Sequence, residues 1–205
     1  MNRSTLRVMT STQGIDKATH ETPQDFYDWL DGLFHFTLDV AAVKATAKHP
    51  RFFSPSDNGL AQSWEGETCW MNPPYGRSIG QWCAKAADEA ARHAAVVVGL
   101  LPDRRDTAWW RTGVLQRQQE QRTGRFMRAA FSPASGMVWL RFERLVVGIY
   151  DHSERLPFDG LEDGAPFPSA VVVWASVTRR PDSNASVPST LDPDTFPRLT
   201  DGWPR

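Results

Sequence analysis

Cysteine is nearly missing: Cys69 and Cys83 are the two in 205 residues. Two cannot build a disulfide framework, and both sit on apolar positions, so they read as reduced core thiols of a cytoplasmic protein. Long hydrophobic runs are missing too. A bilayer span needs roughly 20 apolar residues, and the longest run here, 94–101, is strand length. Residues 1–16 are polar and lack the apolar core of a secretion signal. The histidines are scattered, and no Cys/His spacing matches a metal site, so neither a metal nor a membrane partner is expected. Charge of one sign is lacking as well. The net charge is -1, so no overall basic field attracts nucleic acid, and any such binding falls to a local patch.

What is present suits one folded domain with a tail: 40% hydrophobic and 23% charged residues. Nine tryptophans and eleven phenylalanines imply aromatic surfaces, in the core or in a stacking site. Residues 1–20 show no period and read as a flexible leader. From 179 to 205, five prolines stand among Ser, Asp and Thr. Such a tail buries too little apolar surface to offset its ordering entropy, so disorder is expected there. The folded unit is then 21–178.

Within it, Thr22 is a good N-cap and Pro23 suits the first helical position. Phe26, Trp29, Leu30, Leu33 and Phe34 follow as one apolar stripe, which predicts a helix. Strands are predicted over 36–40 and 68–71, with mostly irregular chain between them. An amphipathic helix over 78–93 puts Ile79, Trp82, Cys83, Ala86 and Ala90 on one face. An apolar strand over 95–101 ends at Pro102, and Asp106 is placed to cap a short helix through Trp109 and Val114. Short β segments are expected at 125–129, 137–142, 145–150 and 169–175. Strands alternating with helices, then a run of strands, predict an α/β sheet, parallel at first with an antiparallel edge.

The residues that carry chemistry are Asn72-Pro73-Pro74-Tyr75, directly after a predicted buried strand. Ligands of open α/β sheets bind outside the carboxyl ends of the strands, so a site belongs there. The Asn72 carbonyl oxygen accepts hydrogen bonds, and the stiff Asn-Pro-Pro backbone can fix the Pro73 carbonyl as a second acceptor beside it. Tyr75 offers a flat face. Two acceptors and a ring suit a planar group with an exocyclic NH2, and adenine fits. Accepting both N6 protons localises a lone pair otherwise delocalised into the ring, readying it for an electrophilic methyl. The bland alternative is a proline-stiffened turn with Tyr75 in the core.

Further segments stand in a telling order: Thr22-Pro23, Phe36-Thr37-Leu38-Asp39-Val40-Ala41-Ala42, Asn58-Gly59-Leu60 with Trp64, Trp70-Met71-Asn72-Pro73-Pro74-Tyr75-Gly76, and Leu101-Pro102-Asp103-Arg104-Arg105-Asp106-Thr107 with Trp109-Trp110. Together they resemble the phage-type DNA N6-adenine methyltransferase family over about residues 21–128, and again weakly at 166–174. The resemblance implies methyl transfer from S-adenosylmethionine to the N6 amino group of adenine in DNA. It also implies a Rossmann-like class I methyltransferase sheet, with a parallel core, antiparallel edge strands and abbreviated middle units. By the same resemblance, Thr22 and Pro23 line the methionine end of the cofactor and Asp39 lies near its amino group. Asp57 or Asn58 meets its adenine, with Asp57 favoured as an acceptor, and Ala41 and Leu60 complete the cofactor set. Asn72, Pro73 and Tyr75 are catalytic, with Pro74 holding the turn. A bacterial cytoplasmic setting, phage or prophage origin and a place in restriction-modification are implied too.

Each match has a local alternative: Thr22-Pro23 is a helix start, Asp39 can cap a turn, and 54–59 is a good turn by itself. The sequence also departs from the wider pattern. Asp39-Val40-Ala41-Ala42 replaces a Gly-x-Gly-x-x-Gly loop, and the cofactor has no pyrophosphate that would require one. Asn72 follows Asp39 by only 33 residues, too few for two full strand–helix units. No ribose-gripping acid is assignable. Residues 129–165 exceed the family core and read as a target-recognition insertion or a decorative hairpin.

Seven arginines between 104 and 128, with Trp109, Trp110 and Phe126, form a basic aromatic stretch suited to phosphates. Arg104, Arg105, Trp109 and Arg111 are the DNA-binding candidates. A solvated helix face is the alternative. The same amino-group chemistry also serves RNA adenine or a protein glutamine amide. A catalytically silent DNA-binding protein of the same fold is the remaining reading, and the intact Asn72 motif speaks against it.

Overall fold

A computed structural model of the chain describes residues 21–115, 128–132, 137–141, 145–152 and 168–176. The expected leader and tail lie outside them.

The first helix, α1 (Gln24–Phe34), forms where the apolar stripe predicts it. It buries Phe26, Tyr27, Leu30 and Phe34, with Trp29 and Leu33 at the margin. Its start differs from expectation. Pro23 is the N-cap, no side chain caps the helix, and Thr22 is buried with its hydroxyl turned to another partner. His35 ends α1 in the left-handed region (φ 54°), donating its N–H to the Asp31 carbonyl at 2.8 Å. The Asp31 carboxylate then accepts from the Phe36 N–H at 2.7 Å. The chain thus turns sharply into the sheet.

Strand β1 (Leu38–Asp39) is shorter than the five residues expected, because its far side pairs with an irregular segment. Asp39 N–H donates to Arg51 O and Phe53 N–H to Asp39 O, while Thr37 and Val40 N–H groups still reach carbonyls of β2. The remaining strands are β2 (Thr68–Met71), β3 (Val96–Pro102), β4 (Arg128–Ser132), β5 (Met137–Arg141), β6 (Leu145–His152) and β7 (Ser169–Ser176). Helix α2 (Ile79–His93) connects β2 to β3, whereas β1 and β2 are joined by loops with a single 3-10 turn at Gly59–Ala61. The middle of the fold is therefore abbreviated, as the spacing requires.

The sheet is mixed, seven strands in the order β1-β2-β3-β7-β6-β5-β4, and the α/β arrangement is consistent with a Rossmann-like fold. Strands β1, β2 and β3 are parallel. All later pairings are antiparallel. The antiparallel part is broader than the edge expected from sequence. Strand β7 is buried along its whole length, which suits a central position covered on both faces. Strands β6, β5 and β4 then add as successive antiparallel neighbours. The described parts of 129–165 thus continue the main sheet rather than standing apart from it.

Alternate residues feed the two faces. Cys69, Met71, Val97, Leu101, Val172 and Trp174 pack with α2, and Trp70, Val98, Leu100, Val171 and Val173 pack with α1. A fully buried aliphatic or aromatic side chain contributes roughly 1.5–3 kcal/mol, so these two layers hold the strands that carry the site. Both cysteines are buried and unpaired, and burial pushes the Cys83 thiol up to about 12. After Pro102 the short helix expected through Trp109 and Val114 is present, but it closes as a π-helical turn (Trp110–Val114) with Trp109, not Asp106, at its N-cap. It packs so closely on α2 that a Cβ on Gly113 would lie 2.6 Å from the Cβ of Cys83.

Candidate active site

Because β1, β2 and β3 run parallel, their carboxyl ends share one edge. Asp39 ends β1, Asn72 follows β2, and β3 projects beyond both, since Met71 pairs with Gly99. A hollow of about 350 Å³ opens beside this edge, within the range of small-molecule sites. Its wall includes Asn72, Pro73 and Pro74, with Ala41, Asn58 and Leu60 also in the lining. A smaller recess of about 30 Å³, lined by Glu21, Thr22, Asp39, Lys48 and Trp70, adjoins it. Ala41, Thr46 and Asn72 line both.

The Asn72 side chain is oriented by a long-range contact. Its Nδ2 donates to Thr22 Oγ1 at 3.0 Å, across 50 residues of sequence. Thr22 is only 1% exposed. Pro23, also buried, starts α1 and so places Thr22 against the end of β2.

Asp39 is buried, and its carboxylate folds the loop beside the hollow. Oδ1 accepts from the Ala41 N–H at 3.2 Å and Oδ2 from the Lys48 N–H at 3.0 Å. Burial raises its pKa, partly offset by those two backbone donors. The Lys48 ammonium lies 3.4 Å from a Glu21 carboxylate oxygen and 3.3 Å from Gln24 Oε1. A carboxylate, an ammonium, a second carboxylate and a hydroxyl thus meet within one small recess.

The other wall rests on aromatic packing that sequence reasoning missed. Phe53 and Trp82 line the hollow, and Trp82 stacks on buried Trp64 with centroids 6.2 Å apart. Trp64 Nε1 donates to the Gly59 carbonyl at 3.0 Å, drawing the 58–60 turn inward. Only glycine fits there, since a Cβ on Gly59 would come within 2.3 Å of the Val40 carbonyl oxygen. The helical period of 78–93 marked Trp82 as a core residue; the same position also reaches the hollow. Phe53 gave no signal, because its segment has no period.

Two expected residues stand differently. Asp57 is exposed and is absent from the lining of either recess. Its Oδ2 accepts from the Ser54 hydroxyl at 2.5 Å and the Ser54 N–H at 2.8 Å, and these bonds hold its carboxyl below the usual range. Asn58, the alternative, lines the hollow in a left-handed conformation at φ 53°. Tyr75 is half-buried against the core, and its hydroxyl donates to the Leu100 carbonyl at 3.2 Å. Pro73 and Pro74 have no N–H to offer β3, and the phenol makes that link instead. Burial raises the Tyr75 pKa, so it stays a neutral donor.

The arginine candidates follow β3 at the same edge. Arg104 and Arg105 are exposed, with Arg104 Nε 3.5 Å from Asp106 Oδ1 and Arg105 Nε 3.0 Å from Asp103 Oδ1. Arg111 donates to the Asp106 carbonyl at 2.6 Å. Trp109 meets Trp110 edge-on at 5.4 Å and covers Gly80 of α2. None of the four lines either recess. Arg117, Arg122, Arg125 and Phe126 lie outside the described residues. Among the described residues, no group of three or more His, Cys, Asp or Glu is placed to hold a metal ion. No helix there is long and apolar enough to cross a membrane.

Comparison with known proteins adds a family. Residues 9–135 match the DNA N-6-adenine-methyltransferase (Dam) family. A relative, the DNA N-6-adenine-methyltransferase of Haemophilus phage HP1 (strain HP1c1), is 31% identical over 107 residues. That match covers 51% of this chain and 61% of the relative's length. The family match takes in α1, the three parallel strands and every residue that lines the two recesses, and the chain belongs to the DNA N-6-adenine-methyltransferase (Dam) family.

Proposed function

We propose that the chain transfers a methyl group from S-adenosylmethionine to the N6 amino group of adenine in DNA, on a class I methyltransferase variant of the Rossmann-like sheet. The observation that carries this reading is the placement of Asn72. Its amide nitrogen is engaged by Thr22 while the residue lines the hollow at the carboxyl edge of the parallel strands. Family membership supports the reaction type, and the phage relative bears the same activity in its name.

The donor set suits the cofactor. The smaller recess brings Asp39 and Glu21 carboxylates together with the Lys48 ammonium, partners for an amino acid's ammonium and carboxylate. The larger hollow is mostly apolar, with Phe53, Leu60 and Trp82 to cover a flat ring and Asn58 to hydrogen-bond it. Thr22, Asp39, Ala41 and Leu60 are the cofactor-binding residues on this reading, with Asn58 taking the role that sequence gave to Asp57; Pro23, expected beside them, is buried at the start of α1 and lines neither recess. S-adenosylmethionine supplies an electrophilic methyl when bound.

The chain's own part is to prepare the amino group. Asn72 Oδ1 and the Pro73 carbonyl accept hydrogen bonds from the two N6–H groups and localise the lone pair toward the donor side, by positioning and preorganised dipoles rather than a strong base. Pro74 stiffens the turn. Tyr75, which lines neither recess, holds that turn to β3 through its hydroxyl. Arg104, Arg105 and Arg111, with Trp109, grip the backbone of an extruded nucleotide. A phage or prophage setting, in line with the relative's phage origin, and a place in restriction-modification complete the proposal.

The test is transfer of labelled methyl from S-adenosylmethionine to unmethylated DNA, followed by nucleoside analysis. N6-methyladenine is the expected product. Label found only in RNA or protein, or no cofactor binding, contradicts the reading.

A further inference from the structure

A base that is to reach Asn72 must leave its stack and enter the hollow, while the phosphates on either side of it stay outside. Those phosphates then stand at the rim. The cofactor carries no phosphate, and Lys48 in the smaller recess is already placed for its carboxylate. Cations at the rim of the larger hollow are therefore free for the nucleic acid.

The cations of the described residues divide unevenly. Between 21 and 115, Lys48, Arg51, Lys85, Arg92, Arg104 and Arg105 each pair with a carboxylate. Arg111 donates to a backbone carbonyl. Lys44 and Arg77 are the remaining lysine and arginine of that stretch. Both are exposed, and among the described residues no carboxylate or carbonyl stands against either.

Both also belong to the rim. Lys44 follows Val43, and Arg77 stands between Pro74 and Ser78; all three of these neighbours line the hollow. One cation comes from the loop after β1 and the other from the loop after β2, at the shared carboxyl edge of two parallel strands. Each loop is fixed. Asp39 binds the Ala41 and Lys48 N–H groups, and the Thr46 N–H closes a turn on the Val43 carbonyl at 2.9 Å. The Ile79 N–H reaches the Gly76 carbonyl at 3.3 Å as α2 begins. Neither 40–48 nor 72–82 contains Asp or Glu, so nothing on these loops repels an anion. Asp57, in the third lining segment, is bound by Ser54. Val43, 41% exposed beside Lys44, adds an apolar contact for a sugar or a neighbouring base.

We propose that Lys44 and Arg77 hold the two DNA phosphates adjoining the target nucleotide, a role that rests on the methyltransferase reading above. Arg104 and Arg105 extend the track along the same edge, but each must first leave its own aspartate. Lys44 and Arg77 have no such partner to give up.

Salt dependence reads the contacts directly. Lys44→Gln and Arg77→Gln each remove one charge from an exposed position. In duplex titrations the slope of log K against log salt should flatten by about 0.9 for each and by about 1.8 for the double variant. Over a roughly four-fold rise in salt, one phosphate contact accounts for about a 3.5-fold loss of affinity, so the double variant should lose roughly 12-fold less than the parent. Lys44→Arg and Arg77→Lys keep the charge and should keep the slope. Arg92→Gln, at the other end of α2, changes the net charge equally and should leave the slope at the parent value. Thermal melting confirms that each variant is folded.

A second measurement locates the contacts on the DNA. Neutral methylphosphonate linkages on both sides of the adenine that the parent methylates should weaken binding by the parent. The double variant should bind that duplex and the unmodified one alike. An unchanged slope in the double variant overturns the proposal, as does an equal flattening in Arg92→Gln, which makes net charge the cause. So does a double variant that still discriminates against the neutral linkages. If the parent methylates no adenine in DNA, the functional reading fails, and the salt slopes alone decide whether this rim holds DNA.

Discussion

Asp39 holds Lys48 by the backbone: the carboxylate at the end of β1 accepts the Lys48 N–H at 3.0 Å while its other oxygen takes the Ala41 N–H at 3.2 Å. One buried side chain thereby ties both ends of the loop between Ala41 and Lys48. An Asp39→Asn substitution leaves one oxygen for two donors and turns an NH2 toward the second. It is expected to cost about 1–3 kcal/mol of stability, the penalty of a buried polar clash. Asp39→Ala is expected to weaken S-adenosylmethionine binding before it lowers turnover at saturating cofactor. Urea unfolding and equilibrium binding check the two outcomes.

The same carboxyl gives a pH signature. Burial, opposed by the backbone donors of Lys48 and Ala41 and by the charges of His49 and Lys48, leaves its folded pKa raised. A raised carboxyl pKa means the folded chain holds the proton more tightly than the unfolded one. Its contribution to stability is full below the unfolded value near ~3.9 and is lost as pH rises through the folded pKa. The parent should therefore gain stability relative to Asp39→Asn as pH falls from neutral through that range. Urea midpoints of both proteins across the acidic range measure it, and a parent that instead loses ground on acidification contradicts the burial argument.

The Gly59 turn tests the packed wall. Gly59→Ala places a Cβ 2.3 Å from the Val40 carbonyl oxygen, a backbone atom that yields only if the turn lifts. A loss of about 1–3 kcal/mol is expected from such overpacking. Cofactor affinity should fall more than kcat, because Asn58 and Leu60 move with the turn while Asn72 does not. Thermal melting and cofactor titration of the variant separate the two effects.

Much of this was legible in the sequence, for identifiable reasons. Strand 68–71 and helix 78–93 have clean periods and sharp terminators, and the structure places them within a residue of expectation. Asn72 was legible because Asn-Pro-Pro-Tyr is chemically unusual and follows a buried strand. The side-chain choices were not. Thr22 suits an N-cap and a distant amide equally well, and only the docking of α1 against β2 decides between them. Asp57 and Asn58 are adjacent turn residues, and the bonds from Ser54 to Asp57 settle which one reaches the hollow. Phe53 lies in chain without a period, beside an irregular bridge from Phe52 to β1 that no local pattern announces. The breadth of the antiparallel region was obscured because sequence order does not reveal that β7 sits beside β3.

Tyr75 offers a narrow test of its two roles. Tyr75→Phe keeps the ring and removes the donor to the Leu100 carbonyl. Stability should fall by about 0.5–1.5 kcal/mol, the worth of one neutral hydrogen bond. The rate should stay within a few-fold, since the ring remains near Asn72. Tyr75→Ala should lose far more activity than Tyr75→Phe in side-by-side turnover assays.

Arg104 and Arg105 are exposed at the edge where β3 ends, each near an aspartate. Replacing both with alanine should weaken DNA binding across sequences alike and flatten the dependence of log K on log salt by about one for each phosphate that is no longer neutralised. Cofactor affinity should not change. Titration of labelled duplex at several salt concentrations reads both slope and affinity.

The central claim concerns one side chain, and its direct measurement is methyl transfer by Asn72→Ala. With labelled S-adenosylmethionine and unmethylated DNA, the variant is expected to lose nearly all N6-methyladenine formation while binding the cofactor within a few-fold of the parent. Turnover close to the parent's, with N6-methyladenine still the product, would contradict the assignment of Asn72 as the acceptor that readies the amino group.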